Sequence, residues 1–555
     1  MDANANMVVP GPADAKRVTR ERGDGRRATT TQEADGTGQP HPQLPPFVSI
    51  LFADGRPAAP VDNAPTPDYF GDLHLNDIVA SLTAGRSEYD LAPFFVVALS
   101  DVAAIGYRHE VFRDLQEPHV LELVRTFAAS LRAVRAQLDR AAKSHYVYER
   151  ERWFLDAVGG YCAAVRALAS ALDVAAVTSN GLRSFREHVV AYVASSAFQV
   201  LDRDVAEVID ALGRIAYRLV IDGPKITVSR FGDEPDYGAE ILATFEKFRQ
   251  GVTKEYLFEL RISSDMNHVE AEIVNRVALL FPDVFASLDQ FCNRYADFID
   301  PTIGRFDREI QFYVAYLEHM AAIGRANLPF CYPEMRADSQ EIFGRDVFDL
   351  ALAGTLVAER SEVITNDFHL EGEERILVVS GPNQGGKTTF ARTIGQLHHL
   401  GRLGTPVPGQ AARLYLVDRI FTHWERQEDV EDLRSKLEND LQRIHAILDA
   451  ATSDSLLVMN ESFSSTTLDD QLFINRQILG IVIERGMLCV AVTFLDELAS
   501  MDPSVVSMMS TVDPDEPARR TFRIVRRPAD GLAYALAIAE KHRVTHGQLI
   551  ARLPR

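Results

Sequence analysis

In VVSGPNQGGKTTF, Val378 to Phe390, an apolar run ends in a glycine-rich turn that carries a lysine and two hydroxyls. Gly381, Pro382, Asn383, Gln384, Gly385, Gly386, Lys387 and Thr388 fit G-x-x-x-x-G-K-[ST], and Thr389 follows. The pattern suits phosphate binding: its glycines let backbone amides converge on the β- and γ-phosphates, and the next helix opens with unpaired N–H groups and a positive dipole end. Lys387 is expected to bridge the β- and γ-phosphates, and Thr388 to ligate Mg²⁺ through its hydroxyl. ATP and Mg²⁺ are thus the expected cofactors. Further on, SLLVMNES at Ser455 to Ser462 reads as an apolar strand ending in Asn460 and Glu461, where a parallel sheet presents its ligands. Glu461 is placed to orient or polarise an attacking water. Asn460 stands where nucleotide hydrolases usually carry Asp. Its amide can hold a Mg²⁺-bound water but adds no negative charge, so binding is expected to survive while turnover slows.

These groups need a parallel sheet to hold them. From about Glu341 onward, RILVVS, RLYLVD, SLLVM and MLCVAVTF alternate with helical segments, the pattern of a parallel sheet covered by helices. Between about Leu73 and Ile323 the period is helical. Val124, Phe127, Leu131, Val134 and Leu138 recur at spacings of three and four and mark the stripe of a long packed helix. YRLVIDGPKITVSR, Tyr217 to Arg230, breaks that texture with β-branched residues on both sides of Asp222-Gly223-Pro224, which predicts a hairpin. It serves either as a contact surface or as a cap on a helix pair.

The expected fold class is α plus α/β, a long-helix domain followed by a nucleotide-binding α/β domain. Residues 1–46 read as a disordered tail, its basic cluster Lys16, Arg17, Arg20, Arg22, Arg26 and Arg27 broken by Glu21 and Asp24. Residues 47–105 hold a short strand at Phe47 to Phe52, a linker and the start of the helices; 106–330 are helical with the hairpin at 217–230; and 331–555 are the α/β part.

The chain has 555 residues, 46% hydrophobic and 25% charged, the composition of a globular protein of several domains. The formal charge of −21 excludes a chain that coats nucleic acid without specificity, so any DNA contact is expected through a local patch or clamp and to be salt-sensitive. No uninterrupted apolar run approaches the span of a bilayer, and a cytoplasmic protein without membrane contact is expected. Cys162, Cys292, Cys331 and Cys489 are scattered and read as buried free thiols. The adjacent His398 and His399 cannot share a helical face as metal ligands do and are expected to be solvated or partly packed.

The motifs resemble the MutS family of DNA mismatch-repair ATPases, relatives of the ABC ATPases. Ser380 to Thr389, SGPNQGGKTT, is similar to that family's TGPNMGGKST, and the Pro-Asn pair and double glycine make the match specific. VITND resembles the family's stretch beside the adenine, which implies a nucleotide role for Asn366, with Val363 where the family has a stacking aromatic. DRIFTHWERQED resembles the segment IFTRIGASDD, and LRSKLENDLQRIHAIL the signature helix. The resemblance implies that Ser435 reaches the γ-phosphate of an opposite subunit, although Leu433 replaces the signature glycine. MNESFSSTTLDD resembles LDEIGRGTSTFDG, matching at Glu461, Thr466 and Asp470 and departing at Asn460, Phe463 and Ser465. VTFLDEL resembles ATHYHEL with Phe494 in place of the switch histidine, and GLAYALAIAEKHRV resembles the segment before the dimerising helices. The likeness is specific over 341–555 and weaker over 75–330, where RHEVFRDL and the long helices look like the family's core and lever domain. The mismatch-reading motif G-x-F-[YF]-E has no counterpart; Phe185-Arg186-Glu187 shares only its F-x-E and sits in a helical run.

The resemblance implies a dimeric ATPase whose sites are completed in trans and whose nucleotide state governs binding of DNA, in mismatch repair but without reading mismatches itself. Asn460, Phe494 and Leu433 favour a second reading, a nucleotide-gated scaffold that hydrolyses little and acts through protein partners. A transporter-type ABC ATPase fits less well, because the chain carries its own helical module.

Overall fold

Apolar stripes at helical spacing must find partners, and the first half of the chain does so as a stack of helices. The computed structural model describes residues 44–54, 65–232, 266–425, 436–513 and 519–529. The tail up to residue 43, the basic cluster, Leu433, Ser435 and the stretch from Gly531 onward lie outside the described residues. Helices span Val102–Gln116, Pro118–Lys143, Val147–Val174, Asn180–Ala194, Ser196–Gly213, His268–Leu280, Pro282–Arg294 and Pro301–Gly324. The predicted stripe is buried at Val124, Phe127, Leu131 and Val134, with Leu138 partly so, and faces Val147–Val174 across the short connection at 144–146. Val147–Val174 is long and apolar enough to cross a membrane by length and composition, although charged residues such as Asp156 and Arg166 interrupt it. Half of its most apolar window is buried inside the protein, as in a core helix.

Pro301–Gly324 runs through the middle of this stack. Its Phe306, Ile310, Tyr313 and Tyr316 are fully buried, and Phe306 stacks on Phe185 with ring centroids 3.5 Å apart. Phe185 is therefore a core residue. The predicted strand at Phe47 to Phe52 is absent: the segment is irregular, with Ile50 and Leu51 wholly buried. Its backbone is satisfied by side chains instead of a neighbouring strand. Glu309 accepts from Ser49 Oγ and Ile50 N at 2.9 Å, Tyr313 donates to Ile50 O at 2.6 Å, and Tyr107 donates to Ser49 O at 2.7 Å. Arg108 completes the set by donating Nε to Leu51 O at 3.0 Å. The hairpin forms as predicted, Tyr217–Asp222 antiparallel to Lys225–Arg230, and its first strand is exposed throughout.

The second half is built on a six-stranded sheet. In chain order its strands are β1 (Ile376–Ser380), β2 (Ile420–Trp424), β3 (Leu456–Asn460), β4 (Leu488–Val492), β5 (Val505–Val512) and β6 (Arg520–Arg526), arranged β2-β3-β4-β1-β5-β6. Every neighbouring pair is parallel except β5 with β6. β1, β3 and β4 are apolar nearly throughout, as strands covered on both faces must be. Helices α1 (Lys387–Arg402), α2 (Lys436–Ala450) and α3 (Leu468–Arg485) make the crossovers. RLYLVD does not join this sheet. Ala411–Tyr415 pairs with Glu334–Arg336 and Ile342–Val347 in a separate four-stranded sheet that Asn366–Leu370 completes. His398 and His399 are wholly buried, correcting the solvated reading; His399 Nε2 lies 2.9 Å from Phe95 O and its Nδ1 3.2 Å from the Tyr69 hydroxyl.

Asp114, in RHEVFRDL, ties Val102–Gln116 to Asn180–Ala194. It accepts from Thr178 N, Thr178 Oγ1 and Ser179 N between 2.7 and 3.1 Å. Burial raises its pKa, but the bonds from Ser179 and Thr178 outweigh it and hold the carboxyl below its usual range. The resulting stability is present at neutral pH and is lost as pH falls through that depressed value. Asp114→Ala should destabilise the protein by about 3 kcal/mol at neutral pH, and the difference from wild type should shrink in acid; urea unfolding at several pH values reads both.

Candidate functional site

The loop between β1 and α1 turns back on itself at the carboxyl edge of the sheet. Gly381 takes φ 112°, which an L side chain resists, and a Cβ on Gly385 would stand 2.1 Å from Ser510 Oγ. Ser510, on β5, donates to Gly385 O at 2.8 Å, and Arg520 donates to Asn383 O at 3.1 Å, so two strands brace the loop. Four non-glycine residues around it, Gln384, Glu461, Phe463 and Phe522, also have positive φ. Such backbone is retained where the surroundings over-determine it.

Lys387 opens α1 and is buried, with Nζ donating to Gly381 O at 2.9 Å and Pro382 O at 3.1 Å. The Phe494 ring, half exposed, lies over the same ammonium with its centroid 4.3 Å away. Burial lowers the Lys387 pKa to about 8, against the pull of Glu461. Thr388 Oγ1 donates to Asn460 Oδ1 at 2.8 Å, bringing the two predicted metal-side groups together. Glu461 follows, its N–H bonded to Val492 O at 2.9 Å. Burial raises its pKa, Lys387 lowers it, and Glu425 raises it, for a net upward shift.

A cleft of about 470 Å³ joins these groups. Gln384, Gly385, Gly386, Lys387, Thr388, Thr389 and Glu461 line its polar end. Gly381, Pro382 and Asn383 form the first half of the loop behind them. The other end is apolar and includes Phe348, Leu352, Val363, Ile364 and Phe522. Asn366 is at this end, but its amide is engaged: Nδ2 donates to Phe522 O at 3.2 Å, and Oδ1 accepts from Ile524 N at 2.7 Å. Phe522 was missed in sequence, because it belongs to none of the motifs and reaches the cleft only through β6. Phe463, in place of a family glycine, stacks on His423 at 5.2 Å, and His423 Nδ1 lies 2.8 Å from Ser462 Oγ. Thr466 Oγ1 bonds Asp470 at 3.2 Å, at the start of α3. A polar phosphate-sized end beside an apolar slot suits a nucleotide, and the oxygens of Thr388 and Asn460 suit a hard cation such as Mg²⁺.

Comparison with known proteins bears on this half of the chain. Residues 377–546 match the family described as MutS domain V. This part of the chain is thus similar to domain V of the MutS family. The DNA mismatch repair protein MutS of Thermotoga maritima is 26% identical over 207 residues, 36% of this chain and 26% of that protein. The Endonuclease MutS2 of Thermus thermophilus is 29% identical over 206 residues, 35% of this chain and 28% of that protein. The DNA mismatch repair protein MutS 2 of Halobacterium salinarum is 36% identical over 124 residues, 22% of this chain and 14% of that protein. The matches thus span about a quarter or less of these MutS-family relatives.

With burial lowering the Lys387 pKa to about 8, a phosphate bound at this lysine would be held in a pH-dependent way. Below that value the lysine already carries its proton; above it, a bound anion must draw one in. Apparent affinity for ATP should therefore fall by up to about tenfold per pH unit above 8, with proton uptake visible as a buffer-dependent heat in calorimetry. Lys387→Ala should abolish both the binding and the proton uptake.

Proposed function

We propose that this chain binds and hydrolyses ATP, works as a pair, and couples its nucleotide state to DNA in a process related to mismatch repair. One observation carries the reading: a buried lysine in a glycine loop, Thr388 and Glu461 line one cleft at the edge of a parallel sheet, and Thr388 bonds Asn460 at 2.8 Å behind it. Its homologous region is the domain V shared with DNA mismatch repair proteins. Loop amides and Lys387 hold the β- and γ-phosphates, and Phe522 with Val363 flanks the base. Thr388, with Asn460 through a water, would hold Mg²⁺, which supplies charge neutralisation on the phosphates. Glu461 orients the attacking water and accepts its proton; a carboxylate with raised proton affinity suits that role. Lys387 Nζ, which donates to the carbonyls of Gly381 and Pro382, is the group of the loop that would bond the phosphate oxygens. Ser435 of a second copy completes each site, and ATP acts as glue between the two. A cytoplasmic setting accords with the four free cysteines.

The neutral Asn460 and the Phe494 ring over Lys387 favour a second reading, a scaffold that binds ATP, hydrolyses little and acts through protein partners. ATPase assays with single-stranded, duplex, mismatched and branched DNA at two salt concentrations separate the two. Stimulation by one DNA structure, weakened by salt, is expected; a rate indifferent to every DNA supports the scaffold. Glu461→Gln should keep ATP affinity and lower turnover by about 10²-fold or more. Unchanged turnover in that variant would assign the water to another group.

A further inference from the structure

Away from the nucleotide cleft, one recess holds a buried cation that lacks a hydrogen-bond partner among the described residues. It measures about 620 Å³ and opens at the far end of α1, between the segment around Tyr69, the start of edge strand β2, and α2. Arg402, the last residue of α1, lines it at 9% exposure. Its guanidinium makes no hydrogen bond or ion pair among the described residues, and its Nε is buried and unbonded. The backbone there is fixed, since Arg402 O accepts from Leu99 N at 2.8 Å.

The surroundings do not supply the missing partner. Asp418, on the same recess, attracts Arg402 electrostatically, but its oxygens already accept from Thr452 at 2.8 Å and Ser455 at 2.7 Å. Two further guanidinium groups share the recess. Arg419 donates to Ala450 O at 3.3 Å, and Arg443 donates to Trp424 O at 3.0 Å and lies 3.5 Å from Asp440. Three arginines and two carboxylates, Asp68 and Asp418, therefore share one hollow whose remaining walls include Val96, Phe421 and Ile447, a surplus of one positive charge. A buried charge is costly unless it is paired, and a planar guanidinium pairs best with two oxygens of one carboxylate or phosphate.

We propose that this recess binds a small organic oxyanion, a carboxylate or phosphate monoester on an apolar body, with Arg402 as its buried anchor. The volume falls within the range of small-molecule sites. The site is separate from the nucleotide cleft, because α1 has 16 residues and so sets Arg402 roughly 24 Å from Lys387 along one rigid helix. Phosphates of ATP and the oxyanion would then occupy opposite ends of the same element.

Calorimetry with phenyl phosphate and benzoate probes the two sources of the oxyanion, using wild type and Lys387→Ala; the latter lacks the loop lysine as a rival phosphate receptor. Saturable binding of at least one probe is expected in both proteins. It should weaken about tenfold or more in Arg402→Gln and severalfold in Arg419→Gln, and inorganic phosphate should bind more weakly than phenyl phosphate. If circular dichroism shows that Arg402→Gln is unfolded, Arg419→Gln decides. The proposal fails if neither probe saturates wild type. It fails equally if binding disappears in Lys387→Ala, or if it is unchanged in the folded arginine variants.

Discussion

Arg108 joins the parts of this molecule that would otherwise have no reason to stay in register. It is almost wholly buried, donates Nε to Leu51 O at 3.0 Å and Nη1 to Leu403 O at 2.7 Å, and lies over the rings of Phe52 and Phe312. One guanidinium thus touches the irregular N-terminal segment, the central helix of the helical half, and the residue that follows α1. Burial presses its pKa down to about 10, which still leaves it charged at any physiological pH. A charge in that place is tolerable only while both carbonyls and both rings surround it, so the three elements must assemble together. Gly404, at φ 69°, leaves the room it needs, since a Cβ there would lie 3.0 Å from the Arg108 Cβ.

The site inherits this order. Gln396, just before the buried histidines, donates to Leu73 O at 2.9 Å and to Asp349 at 3.0 Å and accepts from Leu350 N at 2.8 Å. Asp349 also pairs with Arg392. The helix that begins with Lys387 is therefore gripped along its length by residues from both halves of the chain. Its first turn can present a lysine and two hydroxyls at fixed positions because its later turns cannot shift.

Much of this was legible in the residues. The loop, β1 and β3, the Tyr217–Arg230 hairpin and the stripe from Val124 to Val134 follow from local periodicity and turn chemistry. Misreadings arose where tertiary bonds overrode local pattern. Phe47 to Phe52 has the composition of a strand but spends its backbone on Glu309, Tyr313 and Arg108. RLYLVD alternates as a strand should, yet nothing local says which of two sheets it joins. His398 and His399 read as polar, and only tertiary packing, with Tyr69 and Phe70 against His399, reveals them as core. Phe522 and Arg402 share a further difficulty: each gains its meaning from residues distant in sequence, and no spacing rule connects them.

Asn366 has one more implication. Its amide grips the backbone on both sides of Arg523, at Phe522 O and Ile524 N, while Arg523 itself donates to Thr365 O at 3.0 Å. The strand that carries Phe522 is an antiparallel addition at the sheet's border, and this clasp from the neighbouring sheet sets how far it reaches over the cleft. The wall that Phe522 gives the cleft and the glycine loop at Lys387 are thus separately supported. For the nucleotide proposed to lie there, choice of base and grip on phosphate could drift apart, one by loosening a border strand and the other by altering a buried lysine.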